Sequence, residues 1–380
     1  MMGLRERLRK SDQSRTSRNL FDTIGVLTNP FPPSGQTSQH PRMVSEIDDY
    51  ITNRVKKFEG TGNPSQVILI EGTQGIGKTN LLNYYQQEFE DLYQEDKESY
   101  IIQYFPDPEP SFDAVVRRIF QGLNHELFKN IGQKLSDLPK DQRDEIKHII
   151  KNQDVRIVLN RLERVEEDRL VEYSKLALEW FMGLRLLKAH REKLGVNFRL
   201  DTVESRTQAL RDIVYVSARL NLLKGILLLL DELEKQDYSL SKTPVLRFLS
   251  AIRALIDSLP KYLFLMVAMT PQAKLRYFAM LPAFQGRFQD IFTLSLISNF
   301  KQAVDLYNFY RDKGRNKALN EYKDHYLEQG EEEIFEENEL REIYDKLEKI
   351  SFERGTEGIT PRDYLHDLHK YYERKFNAIS

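Results

Sequence analysis

The chain has 380 residues, with 56 basic and 58 acidic side chains, a net charge of −2, and 40% hydrophobic against 30% charged residues. That length holds one large domain plus a smaller one, and the balance of charge neither supports nor excludes a nucleic-acid partner. There are no cysteines, which removes disulfide frameworks, cysteine-held zinc and thiol chemistry from consideration.

Residues 1–28 read as a flexible arm, charged and serine-rich at its start. Its first ten residues are basic but lead into polar residues rather than an apolar segment, so they form no secretory signal. No apolar run approaches a membrane span, and the expected location is the cytoplasm, with no membrane partner. Asn29-Pro30-Phe31-Pro32-Pro33 is a rigid loop with one aromatic. Residues 44–58 carry apolar side chains at Val44, Ile47, Ile51 and Val55, the spacing of an amphipathic helix.

Val67-Ile68-Leu69-Ile70 is a buried-strand pattern, followed by Gly72-Thr73-Gln74-Gly75-Ile76-Gly77-Lys78-Thr79 and then by Asn80-Leu81-Leu82-Asn83, which reads as a helix. The eight residues fit G-x-x-x-x-G-K-[ST] in the strand–loop–helix setting that a phosphate-binding loop requires. Glycines let the backbone wrap closely, so that successive N–H groups and the helix N-terminus face phosphate oxygens. Lys78 supplies a point charge for the β- and γ-phosphates, and Thr79 offers a hydroxyl to Mg²⁺. Residues 72–80 and Lys78 in particular are therefore assigned to nucleotide binding, with ATP or GTP and Mg²⁺ as the implied ligands.

Tyr100-Ile101-Ile102-Gln103-Tyr104-Phe105 is a second strand, ended by the proline-rich residues that follow. Between Phe105 and Gly225 lie 119 residues, far more than one crossover helix needs. Helical periodicity is predicted over 112–128, 144–158, 171–187 and 207–223. The charges in this stretch alternate in sign, as a solvated helix face does.

Ile226-Leu227-Leu228-Leu229-Leu230-Asp231-Glu232 is an apolar strand ending in two acids. An unbroken apolar run suits a central parallel strand covered on both faces, with ligands at its carboxyl end. Asp231 then completes the Mg²⁺ shell opposite Thr79, through water, and Glu232 orients and deprotonates the attacking water. The competing reading is a leucine-rich helix with a solvated acidic end. Residues 262–269 form another buried strand ending at Thr270. Residues 291–294 form a last short strand, preceded by Gly286-Arg287-Phe288. Read from the residues alone, Arg287 is a surface arginine paired with a carboxylate such as Asp290, and Arg276, close by, competes with it for any further role. From Asn299 onward the pattern is helical and acidic in the middle. Thr360-Pro361-Arg362-Asp363 is a capped helix start. His366 and His369 read as residues of an amphipathic face rather than metal ligands.

These landmarks resemble the AAA+ class of P-loop ATPases. The resemblance implies that Thr270 is the polar sensor 1 residue, that Arg287 reaches a neighbour's γ-phosphate, and that Arg362 is the sensor 2 arginine of a lid. It also implies that Phe31 lines the adenine, unless it plugs the core edge. More narrowly, Trp180-Phe181-Met182-Gly183, Leu194-Gly195-Val196, Ala209-Leu210-Arg211, the strand into Asp231-Glu232 and Thr360-Pro361-Arg362 are similar to the ATP-binding proteins of BREX-type phage-defence systems. Similarity to the origin-recognition and transposition-regulator ATPases is more distant. The sequence ends soon after the lid helix, so the winged-helix DNA-binding module of many origin-recognition relatives is not expected. The expected fold is α/β, an AAA+-like core with a central parallel sheet, a long helical insertion and an all-α C-terminal lid. The expected domains are an arm over 1–28, core over 29–105, insertion over 106–224, core again over 225–297 and lid over 298–380. The expected function is ATP hydrolysis by a homo-oligomer acting with partner proteins on duplex DNA, in phage defence or mobile-element control. The alternative is a signalling-type switch that binds ATP, recruits an effector and turns over slowly.

Overall fold

The computed structural model describes residues 20–33, 45–96, 99–106, 112–233, 242–288, 290–322 and 329–376. In chain order the elements are α1 (Ser45–Glu59), β1 (Gln66–Glu71), α2 (Lys78–Leu92), β2 (Tyr100–Phe105), α3 (Phe112–Asp137), α4 (Lys140–His148) and α5 (Gln153–Arg164). There follow α6 (Glu167–Phe181), α7 (Lys188–Leu194), α8 (Val203–Arg219), β3 (Gly225–Leu230), α9 (Lys242–Ser258) and β4 (Leu263–Met269). The last are α10 (Pro271–Met280), α11 (Pro282–Gln285), β5 (Asp290–Thr293), α12 (Phe300–Tyr322), α13 (Glu337–Glu353) and α14 (Pro361–Phe376). The fold is α/β, and the chain divides into two compact units.

One unit comprises Val44–Glu71 and Leu82–Thr293. Its centre is a five-stranded sheet in the order β2-β3-β4-β1-β5, every pair parallel. Every residue of β3 and of β4 is buried, which is why both sequences are unbroken apolar runs. The edge strand β5 instead alternates half-buried and exposed positions. β4 lies between β1 and β3, so the strand carrying the acids is separated from the strand before the phosphate loop by one further strand. Because all five run the same way, Glu71, Phe105, Leu230, Met269 and Thr293 end on one edge, with Leu230 level with Val267 and Glu71 level with Met269.

Helices α3 to α8 fill the interval between β2 and β3 and share one apolar core with the sheet. Phe181, fully buried, stacks against Phe120 at 5.3 Å and Phe128 at 5.0 Å, with Trp180 edge-on at 4.9 Å. Burying each such ring stabilises the fold by about 1.5–3 kcal/mol. Three predicted helix spans are corrected. The span 112–128 crosses a break at Asn124 (φ 48°, ψ 175°), whose Oδ1 accepts from Glu126 N at 2.8 Å and Leu127 N at 3.2 Å and so caps a second helix. The span 144–158 is interrupted over 149–152. Fully buried Asp212 accepts there from Lys151 N at 3.0 Å and Asn152 N at 2.7 Å, and Asn152 caps α5. The span 171–187 stops at Phe181 and resumes as α7.

The other unit comprises Met1–Met43, Gly72–Leu81 and Leu294–Ser380. Among its described residues, α12, α13 and α14 close on a separate core with Ile24, Val26, Phe31, Ile334 and Phe335. Phe31 is 1% exposed and stacked on Tyr307 and Phe335, at 5.7 and 5.6 Å. Its ring is taken up in packing, so of the two expected roles it is the packing one, and not lining a base, that the structure supports. His369 Nδ1 lies 2.7 Å from Phe31 O, and Asn29 Nδ2 donates to Glu373 Oε1 at 2.8 Å. His366 Nδ1 lies 3.2 Å from Pro33 O, so both histidines tie the 29–33 loop to α14.

Candidate functional site

The loop that leaves β1 at Glu71 turns through Gly75 (φ 81°) and Gly77 (φ 109°), both in the left-handed region that an L side chain resists. A Cβ on Gly75 would stand 3.2 Å from Arg362 Cβ, and one on Gly72 2.6 Å from Ile76 Cγ2. The glycines thus keep the loop tightly wound, the backbone form that turns N–H groups toward an anion. Thr73 and Gln74 are exposed, Thr79 is half-buried, and Lys78 and Asn80 are buried. Lys78 Nζ donates to Gly72 O at 2.8 Å and Thr73 O at 3.3 Å, spanning the loop it would serve. The first turn of α2 has no acidic side chain to neutralise its positive end.

Arg362 lies in this same unit and meets the loop through its backbone: its N–H donates to Gly75 O at 3.2 Å. Thr360 caps α14, its Oγ1 accepting from Asp363 N at 3.1 Å, with Pro361 at the first helical position. Helix α14 therefore begins on the phosphate loop, and the exposed Arg362 side chain leaves from that turn.

In the other unit, the carboxyl edge of the sheet gathers the acids. Asp231, 1% exposed, donates its N–H to Phe105 O at 2.9 Å. Its Oδ1 accepts from Glu232 N at 2.9 Å, and its Oδ2 accepts from the Tyr104 hydroxyl at 3.1 Å. Burial, then the charge of Asp231, pushes the Tyr104 hydroxyl well above its ordinary pKa, so it stays a donor. Glu232 has φ 48°, an uncommon conformation for a glutamate and one that concentrates at functional positions. The Tyr277 hydroxyl holds Leu233 O at 3.0 Å, just after the acidic pair. Thr270 follows β4 and caps α10, its Oγ1 accepting from Ala273 N at 3.3 Å. At the end of β1, buried Glu71 receives Lys274 Nζ at 2.7 Å and Thr293 Oγ1 at 3.2 Å.

Arg287 stands apart from this edge. Its Nε meets Asp257 Oδ1 at 2.5 Å and its Nη2 meets Oδ2 at 2.8 Å, a forked pair that raises its pKa. Asp257 lies near the end of the helix that leads into β4, and Arg287 just precedes β5, so the pair belongs to the amino-terminal side of the strands. The partner is thus Asp257 and not Asp290, which pairs with Arg54. Arg276 lies over the Tyr277 ring at 5.7 Å.

Sequence reasoning missed Tyr104, the Glu71–Lys274–Thr293 group and Asp257. The signal for Tyr104 was available: it is the polar residue next to the end of the strand that pairs with β3, opposite Leu229.

The family model for the BREX system ATP-binding protein BrxC/D matches residues 76–374 of this chain. Among solved structures, the chain is similar to the ORC2 protein of Aeropyrum pernix in its ADPNP–ADP complexes, at 13% identity and a TM-score of 0.43, covering 91% of this chain and 71% of that one. The ADP form of the same protein matches at 13% identity and a TM-score of 0.41, covering 96% and 75%. No curated protein matches the sequence.

Proposed function

We propose, from the premise that this chain belongs to the BREX system ATP-binding protein BrxC/D family, that it is an AAA+ ATPase that hydrolyses ATP as a homo-oligomer. In this reading it works in the cytoplasm with partner proteins on duplex DNA, in phage defence or mobile-element control. The observation that carries the proposal is the sheet: a phosphate loop on β1, two acids after β3 and a polar residue after the strand between them. No helix among the described residues is long and apolar enough to cross a membrane.

The roles follow from the chemistry of each group. The N–H groups of residues 72–80 bind the phosphates, and Lys78 neutralises β- and γ-oxygens. Thr79 and Asp231 carry the hard oxygen donors that would suit Mg²⁺, an ion that would neutralise charge on the phosphates. Tyr104 and the Glu232 N–H fix how the Asp231 carboxylate is turned. Glu232 takes the proton of the attacking water as its oxygen bonds to the γ-phosphorus; the bond to the β–γ bridging oxygen breaks and ADP leaves. Thr270 helps place that water, and Arg362 reports the γ-phosphate to the helices that follow α12. Arg287, toward the amino-terminal ends of the strands and away from Asp231 at their carboxyl ends, serves the site of a neighbouring subunit, where a guanidinium in trans can be worth about a thousandfold in rate.

One observation favours the slow nucleotide switch as a second reading: Arg287 is already held by Asp257 on two bonds. The test is steady-state ATPase activity against protein concentration, for wild type and Arg287→Ala, with and without duplex DNA. Activity that rises with concentration and with DNA, and collapses in the variant, supports the oligomeric ATPase. A low rate indifferent to all three selects the switch.

A further inference from the structure

The stretch 183–199 carries five lysines and arginines against a single acidic residue, Glu192. Around it stand Trp180, Gly183 and Leu194-Gly195-Val196, a constellation that the ATPase chemistry leaves without a task. The structure shows what those residues build. Leu194, Val196 and Leu200 are buried at 0, 3 and 2% exposure, and Gly195 ends α7 in the left-handed conformation at φ 78°. Three carbonyls of the following turn are then held by donors from elsewhere. Arg191 Nη1 reaches Asn197 O at 2.8 Å, Trp180 Nε1 reaches Phe198 O at 2.9 Å, and Arg206 Nε reaches Leu200 O at 2.8 Å. Trp180 is 1% and Arg206 7% exposed, so the clamps are themselves fixed.

On this rigid turn Phe198 is 75% exposed, and Leu187, at the start of α7, is 68% exposed. This fastened backbone holds a phenylalanine in solvent on the same short stretch as a second exposed apolar side chain and several cations, and it is the combination that offers a contact surface. The cations divide into two sets. Lys193 is engaged with Glu172 and Arg191 with the turn, and both serve the fold. Arg185 is exposed, with no hydrogen bond or ion pair among the described residues. Lys188 and Arg199 make only long approaches, 3.8 Å to Glu192 and 4.0 Å to Asp201.

From this we infer that residues 183–199 form a duplex-DNA contact surface, in which Arg185, Lys188 and Arg199 take backbone phosphates and Phe198 and Leu187 press on the apolar surface of a groove. The inference rests on the reading that this ATPase acts on DNA. Cations fix a protein on the phosphate backbone, and apolar side chains beside them engage base and sugar surface, often as a wedge. An acidic protein segment would satisfy the charges and is the competing partner that the experiment must exclude.

The experiment is fluorescence anisotropy of a labelled duplex of about 30 base pairs with the full chain, from about 50 to about 200 mM salt. It compares wild type, Arg185→Ala/Lys188→Ala and Phe198→Ala. All three positions are exposed, so thermal unfolding and DNA-free ATPase activity should stay at wild-type values. Each phosphate contact contributes about 0.9 to the slope of log affinity against log salt, so the double variant should lose about 2 from that slope and bind more weakly. Phe198→Ala should bind about tenfold more weakly with the slope unchanged. Variants that bind as tightly as a DNA-binding wild type would overturn this surface and leave the DNA reading standing. A wild type that fails to bind duplex at the lowest salt would overturn both. Displacement by polyglutamate as effective as by unlabelled duplex would assign the surface to an acidic protein and refute the DNA contact.

Discussion

Glu232 is held at φ 48°, and a substitution pair can separate its backbone from its carboxylate. In the left-handed region an L residue pays for the approach of its Cβ to the following carbonyl, about 1–2 kcal/mol, which glycine escapes. Glycine in turn loses more conformational freedom on folding, by about 0.5–1 kcal/mol. Glu232→Ala keeps the Cβ and removes the carboxylate; Glu232→Gly removes both. The glycine variant should therefore be the more stable of the two by about 0.5–1 kcal/mol, the reverse of the order at an ordinary position. In a unit of this size that corresponds to about 1–4 °C in Tm. Thermal unfolding of both variants measures it, and steady-state ATPase activity beside it should be lost in both, as in Glu232→Gln, while ATP binding survives. An alanine variant as stable as the glycine variant would mean that the backbone relaxes and stores no strain there. Normal turnover by Glu232→Gln would refute its role as the base, whatever the stability result.

Tyr104→Phe deletes a hydroxyl 3.1 Å from Asp231 Oδ2; a bond to a charged acceptor is worth about 1.5–3 kcal/mol, so the Mg²⁺ concentration for half-maximal ATPase activity should shift several-fold with little change in ATP-analogue binding. An unchanged Mg²⁺ titration would reduce Tyr104 to a packing residue. Gly75→Ala introduces a Cβ 3.2 Å from Arg362 Cβ at φ 81°, so binding of a fluorescent ATP analogue should weaken about tenfold or more, about 1.4 kcal/mol or more; undiminished affinity would show that the loop accommodates it. Burial opposes the charge on Glu339, but hydrogen bonds from Lys375 Nζ and Glu336 N outweigh it and hold the carboxyl below its ordinary 4.5. A depressed carboxyl contributes stability that is present above the unfolded value and lost as pH falls through the folded one. Thermal stability should thus decline below about pH 4.5, and Glu339→Gln should flatten that decline; an equally steep profile in the variant would assign it to other carboxylates.

The parts of the structure legible in the sequence are those where a local pattern and its long-range environment demand the same thing. Residues 226–230 and 263–269 are unbroken apolar runs because both faces of their strands are covered, and 100–105 matches β2 at both ends. Thr360 and Pro361 started α14 as their own chemistry requires. What was not legible depends on partners far along the chain. Asp212 breaks the predicted helix over 144–158 by taking N–H groups some sixty residues away. Asp257 captures Arg287 across thirty residues, and Phe31 is drawn into a core made by α12 and the residues before α13. No periodicity in the neighbourhood of those residues encodes such choices.

The same distinction applies to the long helical insertion, whose attachment to the sheet depends on residues far apart in the chain. Its ends are β2 and β3, and these two strands are paired along their whole length. Tyr104, eight positions before the first residue of α3, bonds to Asp231, the residue after the strand into which α8 leads. Lys224, between α8 and β3, donates its backbone N–H to Ser99 O at 2.7 Å just before β2. The insertion is therefore clamped at its roots by β2 and by β3, the strand that leads into the acids, and its apolar core is continuous with theirs. A rigid body fastened in this way cannot rotate about its roots without straining the β2–β3 ladder and the hydrogen bond that orients Asp231. Within the candidate site it is the Asp231 carboxylate that is tied by a side-chain hydrogen bond to β2, the strand from which the insertion leaves.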